Sequence, residues 1–407
     1  MNKKSNQILL IGIMVGVAAG VIGGIYFADT MKQLSFLGKI FLSTLKIIAV
    51  PLVVLSMISG INSLGNIRKV GTFGGKTILY YMVTTAIAVT IGLILVNIIE
   101  PGGSSVAPDL EVPDIVKAKE AFTFMDIIKG FSPVNLFYSL VRGDLLAIII
   151  LSLVTGAVLS TIEKAKPFLK IIDNLNEYVL KVVQLILWFT PIGVFGLIGA
   201  KVAQVGAENL MSELSKLFMY FWTVVGGLFI HGVIVLPVIF YIFTKRNPLV
   251  YAKNALPALL TAFSSASSTG TLPVTIECAE KNNNISPKSA GFVLPLGATV
   301  NMDGTALYEA VAAIFIAQVF NVELTFSDQI IIFLTATLAA IGAAGIPEAG
   351  LVTMVIVLNA VGLPLEGTAM LLSIDWFLDR FRTTVNVWGD SVGAAVLEKH
   401  VIKEHEQ

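Results

Sequence analysis

DWFLDRFRTTVNVWGD, residues Asp375 to Asp390, sets three carboxylates, two guanidinium groups and an amide inside an otherwise strongly apolar chain. Read as a helix, the stretch turns about 100° per residue, which puts Asp375, Asp379, Arg382, Thr383, Asn386 and Asp390 within an arc of roughly 100°. Phe377, Phe381, Thr384 and Trp388 carry the opposite side. The segment is amphipathic in the inverse sense, with polar groups inward and bulky groups toward apolar surroundings. On a soluble helix the same strip would be only a solvated face.

Composition decides between the two. Hydrophobic residues make up 56% of the 407 and charged residues 13%, against about 25% charged in soluble domains. Apolar runs repeatedly reach spanning length, so the chain reads as a polytopic membrane protein whose buried ionisable groups face a bundle interior or a water-filled cavity. A formal net charge of zero gives no reason to expect a nucleic-acid partner. The single cysteine, Cys278, excludes an intrachain disulfide framework and reads as a packing residue.

Ile8 to Phe27 follows Lys3 and Lys4, is longer than the core of a signal peptide, and has no small-x-small cleavage site after it; it reads as a first transmembrane helix. Ile40 to Ile61, with a kink expected at Pro51, and Thr77 to Ile99 follow. Arg68, Lys69 and Lys76 mark the loop between them, and the N-terminus, as cytoplasmic. Pro101 to Asp126, with Asp109, Glu111, Asp114, Glu120 and Asp126, reads as the main external loop. Further spans are expected over Leu145 to Thr161, Leu175 to Ala200 and Leu217 to Phe243, with cytoplasmic ends at Lys164, Lys166 and Lys170 and at Lys245, Arg246 and Lys253. His231, inside the last of these, reads as an interhelical hydrogen bond in preference to a proton relay.

After Lys253 the pattern changes. Leu256 to Ala262, then FSSASSTGTLPVT and another short arm, are too short to cross a core of about 30 Å and read as a re-entrant hairpin. Ile330 to Ile341, GAAGIPEAG and Leu351 to Leu363 repeat that grammar. Their tips, Gly270-Thr271-Leu272-Pro273 and Gly345-Ile346-Pro347, are alike, and paired interrupted segments point to a transporter site near the midplane. Between them, Leu294 to Gln318 is broken by Asn301-Met302-Asp303-Gly304-Thr305. Gly304 suggests unwound backbone there, and freed carbonyls with Asn301 and Asp303 offer hard oxygen ligands suited to a small hard cation. A kink capped by its own side chains is the alternative.

SSTGTLP, NMDGTALYEA, GAAGIPEAG and DWFLDRFRTTVNVWGD together resemble the signature segments of the glutamate transporter family, which includes excitatory amino acid transporters, neutral amino acid exchangers, archaeal sodium-coupled aspartate transporters and bacterial dicarboxylate carriers. The motif pattern is nearest to the excitatory transporters. The resemblance implies an all-α integral membrane fold of eight transmembrane helices and two re-entrant hairpins, built as inverted repeats and working as an elevator-type homotrimer in a plasma or inner membrane. Both termini would be cytoplasmic. It divides the chain into scaffold helices 1 and 2 (1–75), helix 3 of the transport domain with the external loop (76–130), scaffold helices 4 and 5 (131–205), transport helix 6 (206–253) and the transport core (254–407).

Carried over residue by residue, the resemblance implies that Arg382 pairs with a substrate side-chain carboxylate and Asp379 with its ammonium. Thr305, Thr383 and Asn386 hydrogen-bond the substrate, and the tips at Ala266, Ser267 and Ser268 and at Ile346 to Gly350 close over it. Sodium sites use Asn301, Asn386 and Asp390 with the Gly297 carbonyl; Tyr81, Thr84, Thr85, Asn301 and Asp303; and carbonyls of Thr299, Ala340, Ile341 and Ala343. Ala266 stands where the archaeal proteins carry an arginine, and Arg380 takes over as in the excitatory proteins. Glu309 matches the proposed proton carrier of the excitatory pattern, potassium counter-transport being a further implication, with a fixed Glu309–Arg380 ion pair as the alternative. Glu348 departs from both patterns, and nothing in the sequence explains it.

The residues themselves favour an acidic amino acid. A guanidinium matches a planar carboxylate, and Asp379, one turn away, needs a cation. A neutral amino acid carrier has no need of Arg382, nor a C4-dicarboxylate carrier of Asp379. An intramembrane protease with an Asp303/Asp379 dyad is a rival, but such a dyad shares a proton, whereas Asn301, Arg382 and Asn386 favour its ionised form. A channel would need no pair of hairpins. Glutamate and aspartate are not separable, because one methylene changes no charged contact.

Overall fold

The computed structural model describes residues 3–63, 67–103, 145–206, 210–341 and 349–403, and among them the regular structure is entirely helical. In chain order the helices are α1 (Lys3–Tyr26), α2 (Ala28–Ser63), α3 (Ile67–Ile99), α4 (Leu145–Thr161), α5 (Lys166–Leu187), α6 (Thr190–Val205) and α7 (Leu210–Phe229). A π-helical stretch, Ile230–Val235, joins α7 to α8 (Leu236–Thr244). Then come α9 (Pro248–Ser265), α10 (Ser268–Glu277), α11 (Pro287–Val300), α12 (Asp303–Val319), α13 (Phe326–Ala340), α14 (Ala349–Ala360) and α15 (Thr368–Lys403).

α12 is the centre. Every residue in it except Gln318 is buried, as expected of a helix that is apolar all round, and α3, α7, α13, α14 and α15 pack around it. α1, α2 and α6 form a second packed group. Among the described residues three stretches are long and apolar enough to cross a membrane: Phe73–Ile99, Met211–Thr244 and Pro287–Val319. Taken together, the bent pair Glu163–Leu187 and Thr190–Gln204 is a fourth.

Local chemistry fixes the starts and stops. Asn247 caps α9 by accepting from the Leu249 and Val250 N–H groups, with Pro248 in the first turn. Ser286 does the same for α11 ahead of Pro287. Thr325 and Asp328 form a reciprocal capping box on α13. The expected span Leu175 to Ala200 is instead two helices bent by 47°, because Pro191 in the first turn of α6 has no N–H to continue the ladder from α5. Pro51 lies inside α2, which continues through it.

The break near Asn301 is present, and two to three residues earlier than Gly304 suggested. Asn301 (φ −98°, ψ 84°) and Met302 (φ −112°, ψ 52°) leave the helical region, while Gly304 sits in the first turn of α12. Its reason is proximity: a β-carbon there would meet the Arg382 carbonyl oxygen at 2.6 Å. The first hairpin is α9 against α10. Its turn is Ala266-Ser267, with Ala266 left-handed at φ 50°, and Gly270 to Pro273 are helical. The second hairpin is α13 against α14; the expected tip residues Ala343, Gly345, Ile346, Pro347 and Glu348 lie outside the described residues.

Candidate functional site

α15 runs unbroken through Asp375 to Asp390, so the six polar residues do share a face, and all six are buried. The other face is aromatic: Phe377 stacks on Phe221 of α7 at 5.8 Å, and Phe381 meets Phe263 of α9 edge-on at 5.2 Å. At the centre Arg382 has no exposed surface. Its Nη2 donates to Asp379 Oδ1 at 2.9 Å, and Nη1 lies 3.1 Å from Asp375 Oδ1, a charge contact without hydrogen-bond alignment. The guanidinium also lies 4.0 Å from the centre of the Tyr308 ring. Two carboxylates and a ring face offset the cost of burying a cation. Gly350, at the start of α14, closes the other side, where a β-carbon would meet Arg382 Nη1 at 2.8 Å.

One to two turns further along, α3, the α11/α12 break and α15 bring oxygen atoms together. Asp303 Oδ1 accepts from Thr85 at 2.6 Å and from Thr84 at 3.3 Å. The Thr84 hydroxyl also reaches Asn301 Oδ1 at 3.4 Å and the Tyr81 carbonyl at 3.1 Å. Asn301 donates its amide to Asp390 Oδ1 at 2.9 Å. Asn386 Oδ1 takes the Gly304 N–H at 2.8 Å, and its amide reaches Thr305 at 3.3 Å. Gly297 packs directly beneath Asp390 and the Tyr81 hydroxyl, and that hydroxyl donates to the Val293 carbonyl at 2.7 Å. Among the described residues, neither Asp303 nor Asp390 has a lysine or arginine partner. Buried carboxylates among neutral oxygens are the donor set of a small hard cation.

The family model of the sodium:dicarboxylate symporter family matches residues 8–400. The chain belongs to that family. It is 37% identical to excitatory amino acid transporter 1 of Ambystoma tigrinum, over 97% of this chain and 83% of that protein. Identity to excitatory amino acid transporter 3 of Oryctolagus cuniculus is 36%, over 99% of this chain and 87% of that protein. For excitatory amino acid transporter 5 of Mus musculus it is 36% over 97% and 82%. This symporter-family chain is therefore a multi-pass membrane transporter.

The remaining residues singled out from the sequence fall as follows. Arg380 donates to the Phe263 and Ser264 carbonyls, both at 3.0 Å, and so holds the C-terminus of α9 just before the Ala266-Ser267 turn. Its expected alternative partner Glu309 is not engaged; Arg380 is spent on orphan carbonyls of a helix end. Glu309 is fully buried in α12, with Thr353 of α14 as its polar neighbour. Ser267 caps α10, accepting from the Gly270 N–H at 3.0 Å, and Ser268 is buried. Thr383 is buried on the strip. Thr299 turns its hydroxyl to the Leu296 carbonyl at 3.1 Å, and Ala340 and Ile341 are buried at the end of α13.

Three contributors were missed or undervalued. Asp375 was placed on the strip without a role, although its spacing of seven from Arg382 puts both on one face. Tyr308, three residues after Thr305, supplies the ring under the guanidinium. His231 is the interhelical hydrogen bond expected, but its partner is Asp303, at 2.9 Å from Nε2. The π-helical turn makes this possible, and the Gly232 carbonyl in that turn is taken by Trp388 Nε1 at 2.9 Å. Cys278 packs with Ala258, Ala262 and Val387, as expected.

Proposed function

We propose that the protein is a sodium-coupled symporter of acidic amino acids, L-glutamate or L-aspartate. The observation that carries this is the buried Arg382–Asp379 pair, 2.9 Å apart, one to two helical turns from the cluster of cation-suited oxygens. The relatives are named as excitatory amino acid transporters, which supports the same reading. Arg382 takes the substrate side-chain carboxylate and Asp379 its ammonium. Asp375 keeps hold of the other guanidinium edge, so the arginine is never left buried alone. Thr305, Thr383 and Asn386 hydrogen-bond the substrate, while the turn at Ala266 to Ser268 and the second tip, Ile346 to Gly350, close over it.

Sodium is co-transported cargo, and the groups proposed to hold it are Asp303, Asp390, Asn301, Asn386, Thr84, Thr85 and Tyr81 with the carbonyls of Gly297, Thr299, Ala340, Ile341 and Ala343. Asn386 serves substrate and cation together, which couples the two. Proton co-transport on Glu309 and potassium return extend the proposal. So do eight spanning helices with two hairpins, an elevator motion of the transport segments 76–130, 206–253 and 254–407 against the scaffold segments 1–75 and 131–205, a homotrimer, and cytoplasmic termini.

The test is radiolabelled glutamate and aspartate uptake in proteoliposomes, with sodium, proton and potassium gradients imposed one at a time. Uptake that needs inward sodium and is competed by both acidic amino acids is expected. Equal uptake without sodium, or competition by succinate but not by aspartate, would overturn the reading in favour of a different coupling ion or a dicarboxylate substrate.

A further inference from the structure

The two carboxylate oxygens of Asp303, a proposed cation ligand, have different neighbours. Oδ1 accepts from the hydroxyls of Thr85 at 2.6 Å and Thr84 at 3.3 Å. Oδ2 faces His231 Nε2 at 2.9 Å, and both side chains are fully buried. An ionised carboxylate only accepts, so Nε2 carries the hydrogen; Nδ1, buried and without a partner among the described residues, is the bare nitrogen. A threonine hydroxyl can donate to a carboxylate and still give a lone pair to a cation, whereas an imidazole N–H has no lone pair to give. His231 therefore adds no ligand through Nε2. What it fixes is the rotation of the Asp303 carboxylate.

A defect in the helical ladder aims the ring. In the π-helical stretch Ile230–Val235 the Leu236 N–H, which an α-helix would give to the Gly232 carbonyl, goes instead to the His231 carbonyl. The next residue is Pro237, which has no N–H. The Gly232 carbonyl is left outside the ladder of its own helix, a costly position at membrane depth. α15 reaches across to it, with Trp388 Nε1 donating at 2.9 Å. Trp388 is itself buried and packs on the Tyr251 ring at 5.8 Å. The wide turn is thus tied to α15 by Gly232 and to α12 by the residue before it.

We propose that His231 is the positioning residue of the cation site. Its N–H holds Asp303 so that Oδ1 faces the cation beside Thr84 and Thr85, and Trp388 sets the aim of the ring through the Gly232 carbonyl. Outer hydrogen bonds of this kind typically control about 10–100-fold of a site's metal affinity. The inference rests on the reading of Asp303 as a cation ligand. A hydrogen bond that only joined two helices would lower thermal stability and leave sodium affinity where it was.

The test is the melting temperature of the purified full-length protein titrated with sodium chloride alone, choline chloride holding the ionic strength constant. A sodium-dependent rise is expected. His231→Leu should move its midpoint up by about tenfold or more. His231→Gln, whose amide nitrogen stands as many bonds from Cβ as Nε2 does, should restore most of the affinity, while the shorter His231→Asn should not. Should His231→Leu fail to fold, the contrast between glutamine and asparagine decides. Trp388→Phe keeps a ring and loses the donor; it should raise the midpoint by no more than about fivefold, the weight of one neutral hydrogen bond. In the His231→Leu background it should add nothing, because it acts through the ring that is gone. A wild-type melting temperature that ignores sodium would overturn the cation reading of Asp303 and this inference with it. A sodium-dependent wild type with an unchanged midpoint in His231→Leu, or equal losses in the glutamine and asparagine variants, would overturn the inference alone. An additive effect of Trp388→Phe would remove Trp388 from it.

Discussion

The seam between α1 and α6 and the contact between α12 and α15 use one device, helices pressed together over glycine, for opposite ends. In the seam a β-carbon at Gly16 would meet the Pro191 carbonyl oxygen at 2.5 Å, and one at Gly20 the Phe195 carbonyl oxygen at 2.9 Å. What closes there is backbone and aliphatic side chain, so nothing is left over to exchange with water or ions. Such packing is how helices associate in lipid, where no hydrophobic drive separates them from their surroundings. In the second contact Gly304 lets α12 approach the α15 backbone just as closely and Gly389 makes room for the Asn301 and Asp303 side chains, and the space between the helices holds Arg382, Asp379, Asp303, Asn386 and Asp390. The first contact is complete as it stands. The second buries the Asp303 and Asp390 carboxylates with no lysine or arginine partner among the described residues, the kind of donor set a site for a cationic cargo requires.

Arg382→Cys attacks the second contact at its largest charge and should have the largest effect. The substrate carboxylate loses its partner, and Asp375 and Asp379 are left buried without theirs, a cost of about 3–5 kcal/mol for a broken buried pair. Acidic amino acid uptake should disappear, with serine or alanine competing in its place, while size-exclusion chromatography confirms that the protein assembles. Undiminished glutamate or aspartate uptake would sink the role given to Arg382.

Gly16→Leu tests the first contact, where overpacking typically costs about 1–3 kcal/mol. The melting temperature in detergent should fall, and the protein that remains folded should keep the wild-type KM for substrate and sodium. A changed sodium KM at unchanged thermal stability would mean that the seam takes part in the site and that the contrast fails.

Thr85→Val removes the 2.6 Å hydroxyl donor to Asp303 at nearly constant volume. A hydrogen bond to a charged group is worth about 1.5–3 kcal/mol, so the sodium concentration for half-maximal uptake should rise at least about tenfold, while substrate KM at saturating sodium stays put. Parallel loss of both would place Thr85 with the substrate and not with the cation.

The two contacts were unequally legible in the sequence. The strip on α15 could be read because helical periodicity turns spacing into a face, and six polar residues in so apolar a chain have no cheap alternative placement. The break at Asn301 was visible in composition, but its register was not: Gly304 looked like the weak point, and only the approach of the Arg382 backbone explains it. The bend before Pro191 was missed although its cause, a proline without an N–H inside an apolar run, stands in the sequence, while α2 continues through Pro51, where a kink was expected. His231 could be given a hydrogen bond but not a partner, since nothing in the sequence says that α7 and α8 face Asp303 through a π-helical turn. Arg380 was the reverse case. Its presence was read as compensation for Ala266, and what it compensates is the exposed carbonyl end of α9.

Glu309→Gln is the finest probe, because it should leave both contacts intact and change only what is carried. Glu309 sits fully buried in α12 among Ala310, Val311 and Ala312, where desolvation penalises its charged form. A fixed ion pair with Arg380 would have kept it ionised, but that guanidinium is taken by the Phe263 and Ser264 carbonyls, and among the described residues no other cation pairs with Glu309. Glutamine imitates the protonated acid in shape and hydrogen-bonding capacity, so melting temperature and substrate-for-substrate exchange should match the wild type. Net uptake driven by an imposed proton gradient should lose its response, and return of the carrier on potassium should fail with it. An unchanged response in Glu309→Gln would mean that the proton travels on another group or not at all, and Glu309 would then be a buried acid beside Thr353 with no part in coupling.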